Sequence, residues 1–316
     1  MKKLNIIEVP LHKYESIEPL GTKRKFWFYD DNDNSKKLFK RGRPNTGENW
    51  VEVVVAEICN LLNIPHAKYE FAIWDEKEGT ITDSFVPKDY RLIHGNELLA
   101  KTYKFIDETI EYPIEKNEDN KSYKIREYKL KLVLAIMKNK FLKLPLEYHN
   151  SNLHNPVDIF IGYIMLDCLI SNQDRHHENW SWIISPTKEI FLSPTYDHAS
   201  GLGCRESDEE KTKRLNTKDK NRMVKYFVTK AKTPFFDNKD KNLKTIEAFR
   251  LCADSNKNIA IYWLEKLESL DINKIRKKFN EIPEHLISNV SIEFALKILK
   301  ENKKRLMEVK KELLND

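Results

Sequence analysis

Between residues 157 and 170 the chain is apolar almost all round, with Ile, Leu, Phe, Met and Val broken only by Asp158 and Asp167 among charged residues. A helix of that composition has no face to show to water and belongs at the centre of a domain. A polar island, Ser171 to Glu178, follows at once. Trp180 to Ile184 then reads as a strand, Ser185-Pro186-Thr187-Lys188 as a turn and Ile190-Phe191-Leu192 as the returning strand, leading into Pro194-Thr195-Tyr196-Asp197. The expectation is a buried helix, a loop, a short hairpin and a second loop.

Ahead of this region the pattern is mixed. Lys25-Phe26-Trp27-Phe28-Tyr29 is strand-like, Asp30 to Asn34 is a polar turn, and Lys37-Leu38-Phe39-Lys40 resumes as the second strand of a hairpin. From Glu48 to Leu62, Val51, Val54, Val55, Ile58, Leu61 and Leu62 recur at helical spacing, and Pro65 stands where the helix would have stopped. Tyr69 to Trp74 and Thr80 to Val86 read as two more strands. Beyond them the pattern turns helical, with an amphipathic helix expected over Ile125 to Leu144 and a surface loop over Glu108 to Ser122. Residues 201 to 232 are basic with few apolar anchors. A long final helix carries Ile292, Ala295, Leu299, Leu306 and Val309 on one face.

A length of 316 residues suits two compact units better than one, and 40% hydrophobic residues with only 8 Gly exclude an extended low-complexity chain. The opening Met1-Lys2-Lys3 is followed too soon by charge for a signal peptide, and no window reaches the length of a membrane span, so a soluble, cytoplasmic protein is expected. Cys59, Cys168, Cys204 and Cys252 are far apart, with no Cys-x-x-Cys pair, and read as buried thiols in a reducing compartment. The net charge of +6 permits a phosphate or nucleic-acid partner without indicating one.

The chemistry is concentrated in Asp174-Arg175-His176-His177-Glu178-Asn179. An acid and an amide five residues apart in one loop have the spacing of a kinase catalytic loop, in which the acid orients or accepts the proton of an attacking hydroxyl and the amide oxygen coordinates magnesium. Asp197 stands 23 residues beyond Asp174, where the hairpin would bring the chain back, and supplies a second hard oxygen ligand. Upstream, Leu20-Gly21-Thr22-Lys23-Arg24-Lys25 is a turn entering a strand whose amides and basic groups suit phosphates. Lys40 ends the next strand as a candidate phosphate lysine, and Glu52 on the following helix is placed to pair with it.

These segments, with Leu38-Phe39-Lys40, Trp50-Val51-Glu52, Asp174 to Trp180 and Tyr196-Asp197, resemble the HipA-like kinases, and among them the short standalone members. The resemblance runs from about Gly21 to Asp197. It implies an α+β, two-lobed protein-kinase-like fold related to the phosphoinositide 3/4-kinases: a small mixed N-lobe over residues 1–88, then a mainly helical C-lobe over 89–316 with a catalytic loop at 171–180, a metal-binding loop at 194–203 and a basic segment at 205–232. It also implies ATP and Mg2+ as cofactors, serine/threonine phosphorylation of a protein substrate, and autophosphorylation.

By the same resemblance Asp174 is the catalytic base, Asn179 and Asp197 the metal ligands, Lys40 the phosphate lysine and His176 a residue holding the catalytic loop. Gly21, Thr22, Lys23 and Lys25 line the phosphate loop, and Thr82, Ser84, Phe85 and Val86 belong to the hinge strand that meets adenine. Two departures stand out. Tyr196-Asp197-His198 replaces Asp-Phe-Gly, and Glu18 occupies the place of the serine that HipA autophosphorylates, although Ser16 and Thr22 are nearby hydroxyls. Members of the family act as toxins on an aminoacyl-tRNA synthetase, as effectors delivered to a host cell, or as regulators, so an antitoxin or regulator is an implied partner.

Three other readings stay open at the level of sequence. His176, His177 and His198 beside the two aspartates suit a metallohydrolase. The run Lys211, Lys213, Arg214, Lys218, Lys220 and Arg222 suits the headgroups met by a lipid kinase. The same basic segment would also serve a catalytically inactive nucleotide- or nucleic-acid-binding module.

Overall fold

The computed structural model describes residues 3–13, 24–106 and 126–315, and the backbone alone of Ser16–Ile17. In chain order the strands are β1 (Ile6–Glu8), β2 (Ser16–Ile17), β3 (Lys25–Tyr29), β4 (Lys36–Arg41), β5 (Glu70–Trp74), β6 (Lys77–Asp83), β7 (Arg91–His94), β8 (Leu142–Lys143), β9 (Ser181–Ile184), β10 (Ile190–Leu192), β11 (Lys232–Phe236) and β12 (Asn242–Lys244). The α-helices are α1 (Glu48–Leu62), α2 (Gly95–Ile106), α3 (Leu130–Met137), α4 (Pro156–Ile170), α5 (Asp208–Asn216), α6 (Val224–Lys230), α7 (Thr245–Ser255), α8 (Lys257–Glu268), α9 (Ile272–Glu281) and α10 (Asn289–Asn315). The fold is α+β, sheet-rich towards the N-terminus and helical towards the C-terminus.

Two compact units divide the chain, and neither is continuous in sequence. The first comprises Met1–Phe85, Asp197–Val228 and Leu270–Glu301; the second comprises Val86–Tyr196, Thr229–Ser269 and Asn302–Asp316. The division at the first boundary falls close to residue 88, but the stretches 197–228 and 270–301, which sequence alone assigns to the second lobe, pack with the first.

The first unit is built on a six-stranded sheet in the order β1-β5-β6-β4-β3-β2, antiparallel except for the β1·β5 pair. Period-two alternation gives it two distinct faces. Phe26, Phe28, Phe39, Ala72 and Ile81, with Val9, form an apolar cluster on one. On the other, Lys40 lies opposite Thr80 in the β4·β6 register, and α1 packs there. Helix α1 matches the sequence-predicted span, ends at Asn63 in the left-handed conformation, and buries Trp50 edge-on against Phe279 of α9.

The second unit is organised around α4, every residue of which is buried. Pro156 opens the helix, where its missing N–H costs nothing, and Asp158 accepts the backbone N–H groups of His154 and Asn155. Gly162 lets Trp263 of α8 approach, since a Cβ there would lie 2.5 Å from its ring, while the indole donates to the Asp158 carbonyl at 2.7 Å. A four-stranded sheet, β7-β9-β10-β8, stands beside the helices.

Several expectations change. Among the described residues, which resume at Arg126, the helix read over Ile125 to Leu144 is Leu130–Met137, because the chain after it turns into β8, which pairs in parallel with β10. The strand read over Thr80 to Val86 is shifted to Lys77–Asp83, in register with β4 and β5. The β11·β12 hairpin and the N-terminal β1 are additions, being short strands that sheet neighbours rather than local pattern stabilise. The basic stretch holds α5 and α6, with Lys211 buried against Asp208 and Ser291. The expected surface loop over 108–122 lies outside the described residues. Among the described residues no helix is long and apolar enough to cross a membrane. All four cysteines are free and buried, and burial raises the Cys168 thiol to about 11.

Candidate active site

In the second unit the functional loop begins where α4 stops. Ser171 takes the left-handed conformation, φ 53°, and reverses the chain, so that the Asn172 N–H donates to the Asp167 carbonyl at 2.8 Å. The reversal brings Arg175 back over the last turn of α4. Its Nε and Nη2 donate to the two Asp167 carboxylate oxygens at 2.7 and 2.8 Å, and Asn172 Nδ2 donates to the same carboxylate at 2.8 Å. Arg175 Nη1 then donates to the Asn179 carbonyl at 2.7 Å and lies 3.5 Å from the Tyr196 carbonyl. Burial works against the Arg175 charge, and the Asp167 carboxylate outweighs it, holding the guanidinium protonated.

This buried fork clamps the loop at both ends. Within it, Asn179 Nδ2 donates to the Asp174 carbonyl at 2.5 Å, which leaves Oδ1 as the atom able to coordinate a cation. The Asp174 N–H is accepted by Asn172 Oδ1, and the Asp174 carboxylate remains 40% exposed, 3.9 Å from His176 Nε2. His176 Nδ1 accepts the Glu178 N–H at 3.2 Å, a contact that makes the ring a brace of the loop. Tyr128 completes the support: its hydroxyl accepts from Trp180 Nε1 at 2.7 Å and donates to the Arg175 carbonyl at 3.1 Å. The Tyr196 hydroxyl donates to the Glu178 carbonyl at 2.8 Å.

In the first unit a second constellation forms around Lys40. Its ammonium donates to Glu52 Oε1 at 2.9 Å and to Asp197 Oδ1 at 2.5 Å. Glu52 Oε2 accepts the His198 N–H at 2.9 Å, so one buried carboxylate on α1 ties the strand lysine to the 197–198 backbone. Asp197 sits at φ 56°, and its N–H donates to the Tyr69 hydroxyl at 3.2 Å. Burial alone would discharge Lys40; Asp197 and then Glu52 overcome it and hold its pKa well above the ordinary lysine value. Burial, reinforced by Glu52, pushes the Tyr69 hydroxyl up in turn, so it stays a neutral acceptor and donor.

No family model matches the chain, and no curated protein matches it. Solved structures do. The Helicobacter pylori proinflammatory kinase CtkA superposes with a TM-score of 0.68 over 96% of this chain and 99% of its own, at 19% sequence identity. HipA from the Shewanella oneidensis MR-1 toxin–antitoxin system, determined with HipB and operator DNA, superposes with a TM-score of 0.52 over 95% of this chain and 67% of its own, at 10% identity. The chain shares its fold with these two proteins.

On that fold the sequence-derived candidates separate by unit. Lys40, Glu52 and Asp197 come together in the first, and Asp174, His176 and Asn179 share one loop in the second. Lys25 opens β3 directly across from Lys40, and Thr82 lies on β6, nearly buried. Ser84, Phe85 and Val86 fall beyond the end of β6, so the expected hinge strand is shorter by three residues; the Ser84 N–H still reaches the Lys36 carbonyl at 2.8 Å. Gly21, Thr22 and Lys23, with Glu18, lie outside the described residues.

Sequence reasoning assigned no role to Asp167, Arg175, Tyr69 or Tyr128. For Asp167 the signal was present: an acid inside an apolar helix requires a partner. Among the described residues no group of three or more His, Cys, Asp or Glu is arranged to hold a metal ion, so the metallohydrolase reading lacks its donor set there.

Proposed function

We propose that this chain is an ATP- and Mg2+-dependent serine/threonine protein kinase of HipA-like type, transferring the γ-phosphate to a protein hydroxyl and to itself. The observation that carries the reading is Lys40, a buried strand lysine held by the helix carboxylate Glu52 and by Asp197. A lysine so placed, charged and oriented by a helix glutamate, is the phosphate-gripping device of kinases. The clamped loop supports it, since it exposes the Asp174 carboxylate and engages the Asn179 amide through Nδ2, leaving its oxygen outside that hydrogen bond.

Asp197 of the first unit and Asn179 of the second are oxygen donors of the kind a hard divalent ion requires, and magnesium held by them would supply neutralisation of phosphate charge. Lys40 neutralises phosphate charge, Glu52 fixes its direction, His176 braces the loop, and Asp174 orients the acceptor hydroxyl and takes its proton. Lys25, Gly21, Thr22 and Lys23 cover the phosphates, and Thr82, Ser84, Phe85 and Val86 meet the adenine. A cytoplasmic protein such as an aminoacyl-tRNA synthetase, or a host protein met after delivery as an effector, is the substrate, with an antitoxin or regulator as partner.

The test is Asp174→Asn, assayed with labelled ATP and Mg2+ for autophosphorylation and for transfer to lysate proteins. We expect phosphotransfer to fall by about 10² to 10⁴ with melting temperature and nucleotide affinity unchanged. If Asp174 only caps the loop, asparagine serves nearly as well and activity persists; an active Asp174→Asn protein removes the assignment. Phosphoinositide vesicles as acceptors in the same assay separate the lipid-kinase reading.

A further inference from the structure

The sheet of the first unit carries a concavity of about 360 Å³ on the face away from Lys40. Register places it there. Phe39 and Arg41 alternate with Lys40 along β4, Arg41 lies opposite Gly79, Phe26 lies opposite Phe39, and Trp74 lies opposite Lys77. Phe26, Phe39 and Trp74 make the floor, with the Trp74 ring centred 4.9 Å from Phe26 and 6.2 Å from Phe39. Gly79 opens the hollow: a Cβ there would come within 2.7 Å of the Phe39 ring, so only glycine lets that ring lie against β6.

The rim is cationic. Arg24, Arg41 and Lys77 line it, against one carboxylate, Asp75. Among the described residues the side chains of Arg24, Arg41 and Lys77 enter no ion pair, although elsewhere in this chain arginines and lysines regularly pair with neighbouring acids. An aromatic floor under two guanidinium forks is the combination that takes a planar ring and a phosphate at once: rings stack on Trp or Phe, and arginine meets phosphate oxygens in a bidentate fork.

We propose that this hollow is a binding site for a nucleoside monophosphate, its base against Trp74 and its phosphate between Arg24 and Arg41. It is separate from the Lys40 constellation and does not depend on the kinase reading.

The probe is guanosine monophosphate, titrated into the full chain while tryptophan fluorescence is followed, with and without saturating ATP and Mg2+. The expected result is a saturable quench that is absent in Trp74→Phe, survives ATP, and requires about tenfold more nucleotide in Arg41→Ala, the loss of one charged hydrogen-bond pair. Inorganic phosphate and guanosine should each bind more weakly than the monophosphate. The proposal is overturned by no saturable quench at millimolar nucleotide, by a quench that ATP abolishes and Arg41→Ala spares, or by phosphate or guanosine alone binding as tightly. Because the readout is at Trp74, it stands or falls whether or not the chain transfers phosphate.

Discussion

Lys40 shows how a single side chain gathers a site. Its ammonium is buried, and only two carboxylates within hydrogen-bond reach make that tolerable. Removing it with Lys40→Met should abolish the proposed phosphotransfer and leave Glu52 and Asp197 without their shared counter-charge. The stability consequence has a definite sign. A lysine whose folded pKa is raised stabilises the native state fully below its unfolded value, near 10.5, and that contribution is lost as pH rises through the higher folded value. Thermal melts of the native chain and Lys40→Met should therefore differ at neutral pH and converge in strongly alkaline solution. A difference that widens above pH 10.5 would contradict the charged, paired lysine.

Helix α4 is the element on which the loop from Ser171 to Trp180 depends, and two of its residues, Asp167 and Gly162, have opposite uses. Asp167 is the anchor for Arg175. Asp167→Ala leaves a guanidinium buried and unpaired, and should cost about 3–5 kcal/mol in denaturant unfolding, well beyond an ordinary surface change. A loss under 1 kcal/mol would mean that solvent reaches Arg175. Gly162 tests packing against propensity. Alanine is favoured over glycine in a helix by up to about 1 kcal/mol, yet its Cβ would overlap Trp263, and overpacking costs about 1–3 kcal/mol. The packing term should win, so Gly162→Ala is expected to lower the melting temperature; a rise would show that Trp263 moves aside at no cost.

For the whole molecule, the discontinuous units make a prediction about fragments. The sheet with α1 looks like a self-contained N-terminal domain, but Trp50 packs on Phe279, the Leu4 N–H donates to the Glu281 carbonyl, and Glu52 is satisfied by His198. A fragment of residues 1–88 leaves these groups without partners and should be largely unfolded by circular dichroism and amide exchange. A cooperative, native-like melt of that fragment would refute the dependence on 197–228 and 270–301.

What the sequence determined by itself was what local pattern can carry. The spans of α1 and β3, the body of α4, the hairpin after it and the Asp174 to Asn179 spacing all follow from apolar periodicity, proline and glycine punctuation and loop polarity. The pairing of Lys40 with Glu52 was also readable, because strand and helix are close in sequence. Tertiary structure decided the rest. The Lys40 to Asp197 contact joins residues 157 apart, Tyr69 meets Asp197 across 128, and α9 covers α1 from more than 200 residues away. No local signal encodes such meetings, since they are selected by which buried charges and apolar faces satisfy one another once the chain has closed. The same reason shortened α3 and created β8, where a neighbouring strand outweighed helical spacing.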